Sequence, residues 1–225
     1  MSRSSASNDF PPAPWLLRGQ IYGSLWMVPA ERIQFRVDPA FELLTFAGRA
    51  CVVACFVDYQ EGSVLTYGEL FGAVSVRTRA SRRRGLTVSH MWVDSERSKR
   101  GGRALWGMPK EMARFELDHH PPEGAFRGIG WDSRKKELAR VSCDVLAGLP
   151  PGVRIPLGLP NLQMLDGKVQ SPKTAIHFSP RLLRTEWSIP EDSPLASLGI
   201  SGVRPWMGFQ VRDFEWNLPA ATPVD

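Results

Sequence analysis

The sequence predicts a single β-rich α+β domain built mainly of antiparallel strands. Three observations predict it. Apolar runs rich in β-branched and aromatic residues recur along the chain, polar turns separate consecutive runs, and few stretches carry helix signals. The 20 glycines and 19 prolines are scattered as punctuation, so no linker divides the chain. With 225 residues, 43% of them hydrophobic, the chain is long enough for a proper core and too apolar for disorder.

Met1 to Pro14 is rich in Ser, Ala and Pro and has no apolar stretch. It reads as a disordered tail and not a signal peptide, which leaves residues 15–225 as the domain. Pro39 to Leu44 reads as a short helix. Arg49 to Tyr59, RACVVACFVDY, is almost continuously apolar, the pattern of a strand buried on both faces. Val64 to Arg79 and Leu86 to Val93 are further strands, the first with Glu69 set among apolar and small residues. Asp94 or Ser95 caps a helix that runs through Arg97 and Arg103 toward Trp106. Phe126 to Trp131 and Glu137 to Leu146 form a hairpin around the polar residues Asp132 to Lys136. Pro194 to Leu198 reads as a second short helix. Ala175 to Ile189 and Met207 to Trp216 alternate as half-exposed strands do.

Composition narrows the function classes. No window holds about 18 consecutive apolar residues, so no membrane span is expected. Cys51, Cys55 and Cys143 are odd in number and lie in apolar runs, which reads as buried thiols of a reducing, cytoplasmic compartment. The net charge of +5 owes much to Arg77, Arg79, Arg82 to Arg84, and the stretch Arg97 to Arg103. No aromatic interleaving or nucleic-acid motif accompanies them, so they read first as a solvated or oligomer-facing surface, with a nucleic-acid patch as the lesser alternative. A field that gathers an anionic substrate is an intermediate reading. The four histidines, His90, His119, His120 and His177, form no metal-ligand pair with one another or with cysteine. Neither a phosphate loop, a dinucleotide fingerprint nor a serine nucleophile elbow is present. No metal and no cofactor is expected.

Lys110 stands out. Leu105, Trp106 and Met108 precede it, and Met112 and Ala113 follow it. Taking an ammonium into apolar surroundings costs several kcal/mol, and a lysine buried there has its pKa lowered. The neutral amine is a nucleophile toward carbonyls. Pro109 fixes the backbone just before it. Glu69 is the second polar oddity: a carboxylate in an apolar strand needs a partner, either an arginine or a group in a site.

The pattern Gly102-Arg103-x-x-x-Gly107-x-Pro109-Lys110 resembles the catalytic signature of the acetoacetate decarboxylase family. Tyr67-Gly68-Glu69 is similar to the family's Tyr-x-Glu strand. Leu159-Pro160-Asn161 with Asp166-Gly167 resembles a later segment, and Ser193-Pro194-Leu195 the C-terminal end. The resemblance runs from about Val28 to Trp216. It implies a large curved antiparallel sheet forming a cone or barrel-like funnel with the lysine at its deep end, and a homo-oligomer. It implies that Lys110 attacks a ketone to give an imine, and that loss of CO₂ from a β-keto acid yields an enamine. Glu69 takes the place of the family's active-site carboxylate. In the family a neighbouring cation activates the lysine; Glu111 leaves that route missing here, so desolvation is expected to lower the amine pKa.

Three departures bear on substrate. Glu111 stands where the family often has a second lysine. Val52 replaces a glutamate. Val28 or a neighbour stands where an arginine would meet a substrate carboxylate. The expected pocket therefore has Lys110 and Glu69 as its catalytic pair and is lined by Trp26, Val52, Tyr67, Trp106 and Met108, with Arg103 as a substrate-binding cation; Arg32 is the nearest candidate for the missing arginine, several residues out of register. Such a pocket suits a larger apolar carbonyl compound. Three functions follow: a Schiff-base carbon–carbon lyase, whether decarboxylase, aldolase, dehydratase or cyclase; a non-catalytic domain that binds a hydrophobic small molecule; and, from the arginines, a nucleic-acid module.

Overall fold

The computed structural model describes residues 9–120, 125–150, 152–158, 160–172 and 175–224. Residues 1–8 of the expected tail, Leu159 of the later motif, and Pro121 and Pro122 beyond the histidine pair lie outside them. The strands are β1 (Trp15–Pro29), β2 (Phe41–Leu43), β3 (Thr45–Phe46), β4 (Arg49–Tyr59), β5 (Tyr67–Thr78), β6 (Arg84–Val93), β7 (Lys110–His120), β8 (Ala125–Asp132), β9 (Glu137–Gly148), β10 (Ile155–Leu157), β11 (Gln163–Leu165), β12 (Lys168–Gln170), β13 (Ile176–Ser188) and β14 (Met207–Leu218). The helix α1 (Glu96–Trp106) lies between β6 and β7.

Among the described residues, nine of these strands close into a ring. Neighbours run β5, β6, β7, β8, β9, β13, β14, β1 and β4, and β4 pairs back onto β5 over eight residues from Val52↔Val74 to Tyr59↔Tyr67. Closure leaves the long strands no free edge. Pairing around the ring is antiparallel except between β6 and β7, where Met91, Trp92 and Val93 meet Lys110, Glu111 and Met112 in parallel. Parallel neighbours need a crossover, and α1 supplies it.

Side chains alternate between the two faces of a strand, and here both faces are covered. Along β4, Val52, Ala54 and Phe56 enter one apolar cluster, while Val53, Cys55 and Val57 enter another. The first cluster draws on strands around the whole ring and fills its interior; there Tyr22 stacks on Phe126 with ring centroids 3.9 Å apart. The second lies on the outer face of β1, β4, β5, β6 and β14, under α1 and the C-terminal segment. The uninterrupted hydrophobicity of β4 and β5 follows from this double burial. Phe56 is fully buried inside the ring, so Phe56→Ala is expected to destabilise the fold by about 3–5 kcal/mol, read from denaturant unfolding.

Most expected elements appear within a few residues of their predicted ends, among them the β8–β9 hairpin. Ser95 caps α1, its hydroxyl accepting from the Ser98 amide. The Pro194–Leu198 turn is a 3₁₀ helix. The short helix expected at Pro39 to Leu44 is instead β2, an edge strand paired with Val76–Thr78 of β5. Asp38 makes the turn, accepting from the Ala40 amide at 2.9 Å, and Phe41 buries its ring in the interior cluster. The strands β1 and β7 are not foreseen from the sequence. The first carries apolar residues on both faces and two glycines; the second carries charges on alternate positions. The end of the expected tail is packed: Trp15 Nε1 donates to the Pro11 carbonyl at 2.9 Å, and Asp9 pairs with Arg100. Arg77, Arg79 and Arg82 of the basic stretch gather around Glu42. No helix among the described residues is long and apolar enough to cross a membrane.

Candidate active site

β5 turns Tyr67, Glu69, Phe71 and Ala73 to the outer face of the ring, with Glu69 opposite Val57 on β4 and Val93 on β6. The chain leaves β6, runs through α1 and re-enters the sheet beside Met91. Lys110 is therefore the first residue of β7, directly beneath the helix it has just left. Gly107 ends α1 with φ 65°, a left-handed conformation that glycine adopts without strain. Its missing side chain also matters, because a Cβ there would lie 2.0 Å from the Met164 carbonyl oxygen. Backbone bonds then fix the approach: Met108 N donates to the Gly102 carbonyl at 3.1 Å, and Lys110 N to the Met108 carbonyl at 2.8 Å.

The lysine amine is enclosed. Lys110 is 5% exposed and Glu69 2%. Lys110 Nζ donates to Glu69 Oε2 at 2.9 Å, to Ser98 Oγ at 2.9 Å and to Tyr67 Oη at 3.3 Å. The other oxygen of Glu69 accepts from the Tyr59 hydroxyl at 3.1 Å. Burial alone pushes the Lys110 pKa down, but the Glu69 carboxylate and Tyr67 outweigh it and hold the amine above its ordinary value. This corrects the expectation of an amine whose pKa is lowered by its dry surroundings: the contact with Glu69 reverses the direction and favours the ammonium. Burial also raises Tyr59 and Tyr67, with Glu69 adding to the rise and Lys110 opposing it at Tyr67, so both phenols remain hydrogen-bond donors.

Around this cluster lies a cavity of about 160 Å³. Lys110, Glu69, Tyr67, Trp106 and Met108 all line it, so the ring and α1 bring together five of the eight residues singled out from sequence. The other three lie elsewhere. Trp26 and Val52 are opposite one another in the β1–β4 register and point into the ring interior, the face away from Lys110; Trp26 Nε1 donates to the Val203 carbonyl at 2.8 Å. Arg103 projects outward, its Nε donating to the Lys110 carbonyl at 2.7 Å and its guanidinium pairing with Glu111. This pair also turns Glu111 away from the amine. The deep end of a funnel is likewise not where the lysine sits: it is on the outer face of the closed ring.

Ser98 and Tyr59 are not foreseen from the sequence. Ser98 has a signal there, since it falls one helical turn before Gly102, and these small residues form the helix face that meets the lysine. Gly102 has no Cβ, and one placed there would lie 2.7 Å from both Cδ and Cε of Lys110. We expect Gly102→Ala to fold, because the clash is with a side chain, and to displace the amine, slowing its reaction with a ketone by about tenfold or more; mass spectrometry of trapped adducts reads this. Among the described residues no group of three or more His, Cys, Asp or Glu could hold a metal ion.

Residues 2–170 match the family model described as acetoacetate decarboxylase (ADC). The chain belongs to the acetoacetate decarboxylase family. Solved structures of this fold include an acetoacetate decarboxylase from Legionella pneumophila, with 18% identity, a TM-score of 0.77 and coverage of 100% of this chain and 92% of that one. The acetoacetate decarboxylase-like enzyme from Sphingomonas wittichii RW1 is 13% identical, with a TM-score of 0.68 and coverage of 100% and 98%. The enduracididine biosynthesis enzyme MppR, complexed with the condensation product of pyruvate and imidazole 4-carboxaldehyde, is 16% identical, with a TM-score of 0.70 and coverage of 99% and 94%. No curated protein sequence matches the chain. At these identities the structural likeness speaks to the fold, a large mixed sheet ringing round, and family membership to an enzyme of the acetoacetate decarboxylase-like group.

Proposed function

We propose that this member of the family is a Schiff-base enzyme with Lys110 as its nucleophile. The observation that carries the proposal is a buried amine held by one carboxylate and two hydroxyls in the wall of an apolar cavity. Glu69 takes a proton from the Lys110 ammonium, and the neutral amine attacks the carbonyl carbon of the substrate. Within the carbinolamine, Ser98 lies close enough to Nζ to pass a proton between nitrogen and oxygen. Protonated Glu69 returns its proton to the hydroxyl, which leaves as water. The product is an iminium cation facing a carboxylate, which stabilises it in the dry site. From a β-keto acid, the bond to the carboxylate breaks, CO₂ departs, and the electron pair forms an enamine that is protonated and hydrolysed.

A second reading uses the same iminium for aldol or dehydration chemistry on a larger apolar carbonyl compound. It is favoured by the cavity wall, in which Arg103 has no part. A domain that only binds a hydrophobic ligand is the non-catalytic alternative. The cytoplasmic location and the homo-oligomer belong to the proposal too, light scattering reading the second. Borohydride reduction in the presence of a candidate ketone, followed by peptide mass spectrometry, tests the imine. An adduct on Lys110 is expected. An unmodified Lys110 together with full turnover in Lys110→Ala would overturn the proposal.

A further inference from the structure

We propose that the Lys110 cavity takes a neutral carbonyl compound with an apolar body of about one ring or six carbons, and discriminates against one that carries a carboxylate. The inference rests on the imine reading of Lys110, names its substrate class, and favours the aldol or dehydration course over loss of CO₂ from a β-keto acid.

Charge is the first ground. Among the described residues that line the cavity, Glu69 and Lys110 are the charged ones, and they neutralise each other at 2.9 Å. Imine formation does not change this balance: an ammonium becomes an iminium, and Glu69 still faces it. A substrate carboxylate would add a second buried anion beside Glu69 with no remaining cation to meet it, and like charges so placed cost several kcal/mol. Two arginines beside the lining are committed elsewhere. Arg103 lies outside with Glu111, and Arg18 pairs with Glu215 at 3.2 Å, half exposed.

The wall is the second ground. Beyond the polar cluster the substrate meets Trp15, Leu17, Phe71, Val88, Met91 and Leu218. Asn161 and the two tyrosines add polar groups without adding charge. Size is the third ground. A dry, apolar protein cavity of about 150 Å³ holds benzene, and this one measures about 160 Å³. A ring or short alkyl chain attached to the carbonyl fills it, and filling removes apolar area from water at about 25 cal/mol per Å².

Two probes of nearly equal length separate the alternatives: 2-heptanone, which is neutral, and 5-oxohexanoate, which ends in a carboxylate. Each is incubated with the whole chain and borohydride, and the adduct on Lys110 is counted by mass spectrometry. Calorimetry without borohydride reads binding alone. In the wild-type chain, 2-heptanone is expected to label Lys110 at least about tenfold faster than 5-oxohexanoate. Glu69→Gln removes the competing anion and should shrink or invert that ratio, which is internal and so independent of any overall loss of rate. Equal or faster labelling by 5-oxohexanoate in the wild type would overturn the inference and leave the imine standing. If neither probe labels Lys110 while 2-heptanone alone binds, the imine reading falls and the ligand class survives. If 2-heptanone neither labels nor binds, the ligand class falls.

Discussion

Lys110→Met is expected to abolish adduct formation with ketones and to lower turnover by about 10⁴-fold or more, since no other amine lies in the cavity among the described residues. The variant also removes the partner of a carboxylate that is 2% exposed. An uncompensated buried charge costs about 3–5 kcal/mol, so loss of activity in this variant could be confused with loss of fold. The double variant Lys110→Met/Glu69→Gln resolves the two. Its side-chain amide is neutral and can still accept from Tyr59, so stability should largely return, as read by denaturant unfolding. Activity should not. If the double variant recovered turnover, the lysine would be excluded as the nucleophile.

Glu69→Gln alone is expected to lower kcat by about 10²–10⁴-fold, the usual range for removal of a general acid–base. Its pH profile is the sharper readout. In the wild-type chain the carboxylate helps hold Lys110 protonated above its ordinary pKa, so the reactive amine becomes more abundant as pH rises, and imine formation should accelerate into the alkaline range. Without the carboxylate, burial is the largest remaining influence, and it lowers the pKa. The acid limb of the variant should therefore shift to lower pH even as its maximum falls. An unshifted limb, or equal losses of activity and stability, would reduce Glu69 to a structural ion pair. The same linkage acts on the fold. A lysine whose folded pKa exceeds its unfolded value contributes its full stability below about pH 10.4 and loses it as pH rises through the folded value.

Much of this arrangement is legible in the residues. β4 shows itself because both of its faces are buried, so its hydrophobicity has no gaps. Lys110 shows itself because its neighbours in sequence, Trp106 and Met108, are also its neighbours in space. The faces are harder. Trp26 and Val52 are apolar residues beside the segments that form the site, yet a one-residue step along a strand sends a side chain to the opposite side, and they fall on the interior. Residue order also says nothing of how a charge is matched across the sheet. The reading of Lys110 as a neutral amine follows from its apolar neighbours alone; the Glu69 contact, 41 residues away in sequence, reverses the sign. Tyr59 becomes part of the site through the antiparallel pairing of β4 with β5, which sets it opposite Tyr67. β2 reads as a helix in isolation because a three-residue strand depends on its partner, and the partner is distant in the chain.

Lys110 sits on the outside of a closed ring. The side chains that hold the barrel together and those that surround the amine are thus largely different sets, interleaved along the same strands. Stability and reactivity can change separately. The interior can drift toward better or worse packing with little trace in the chemistry, while a change in the outer wall acts on the substrate and on the outer apolar cluster together. A library that varies the half-buried Phe71 and leaves its inward-facing neighbours untouched would sample new specificities, whereas Trp15 and Leu17, each 1% exposed, also hold the outer apolar cluster together.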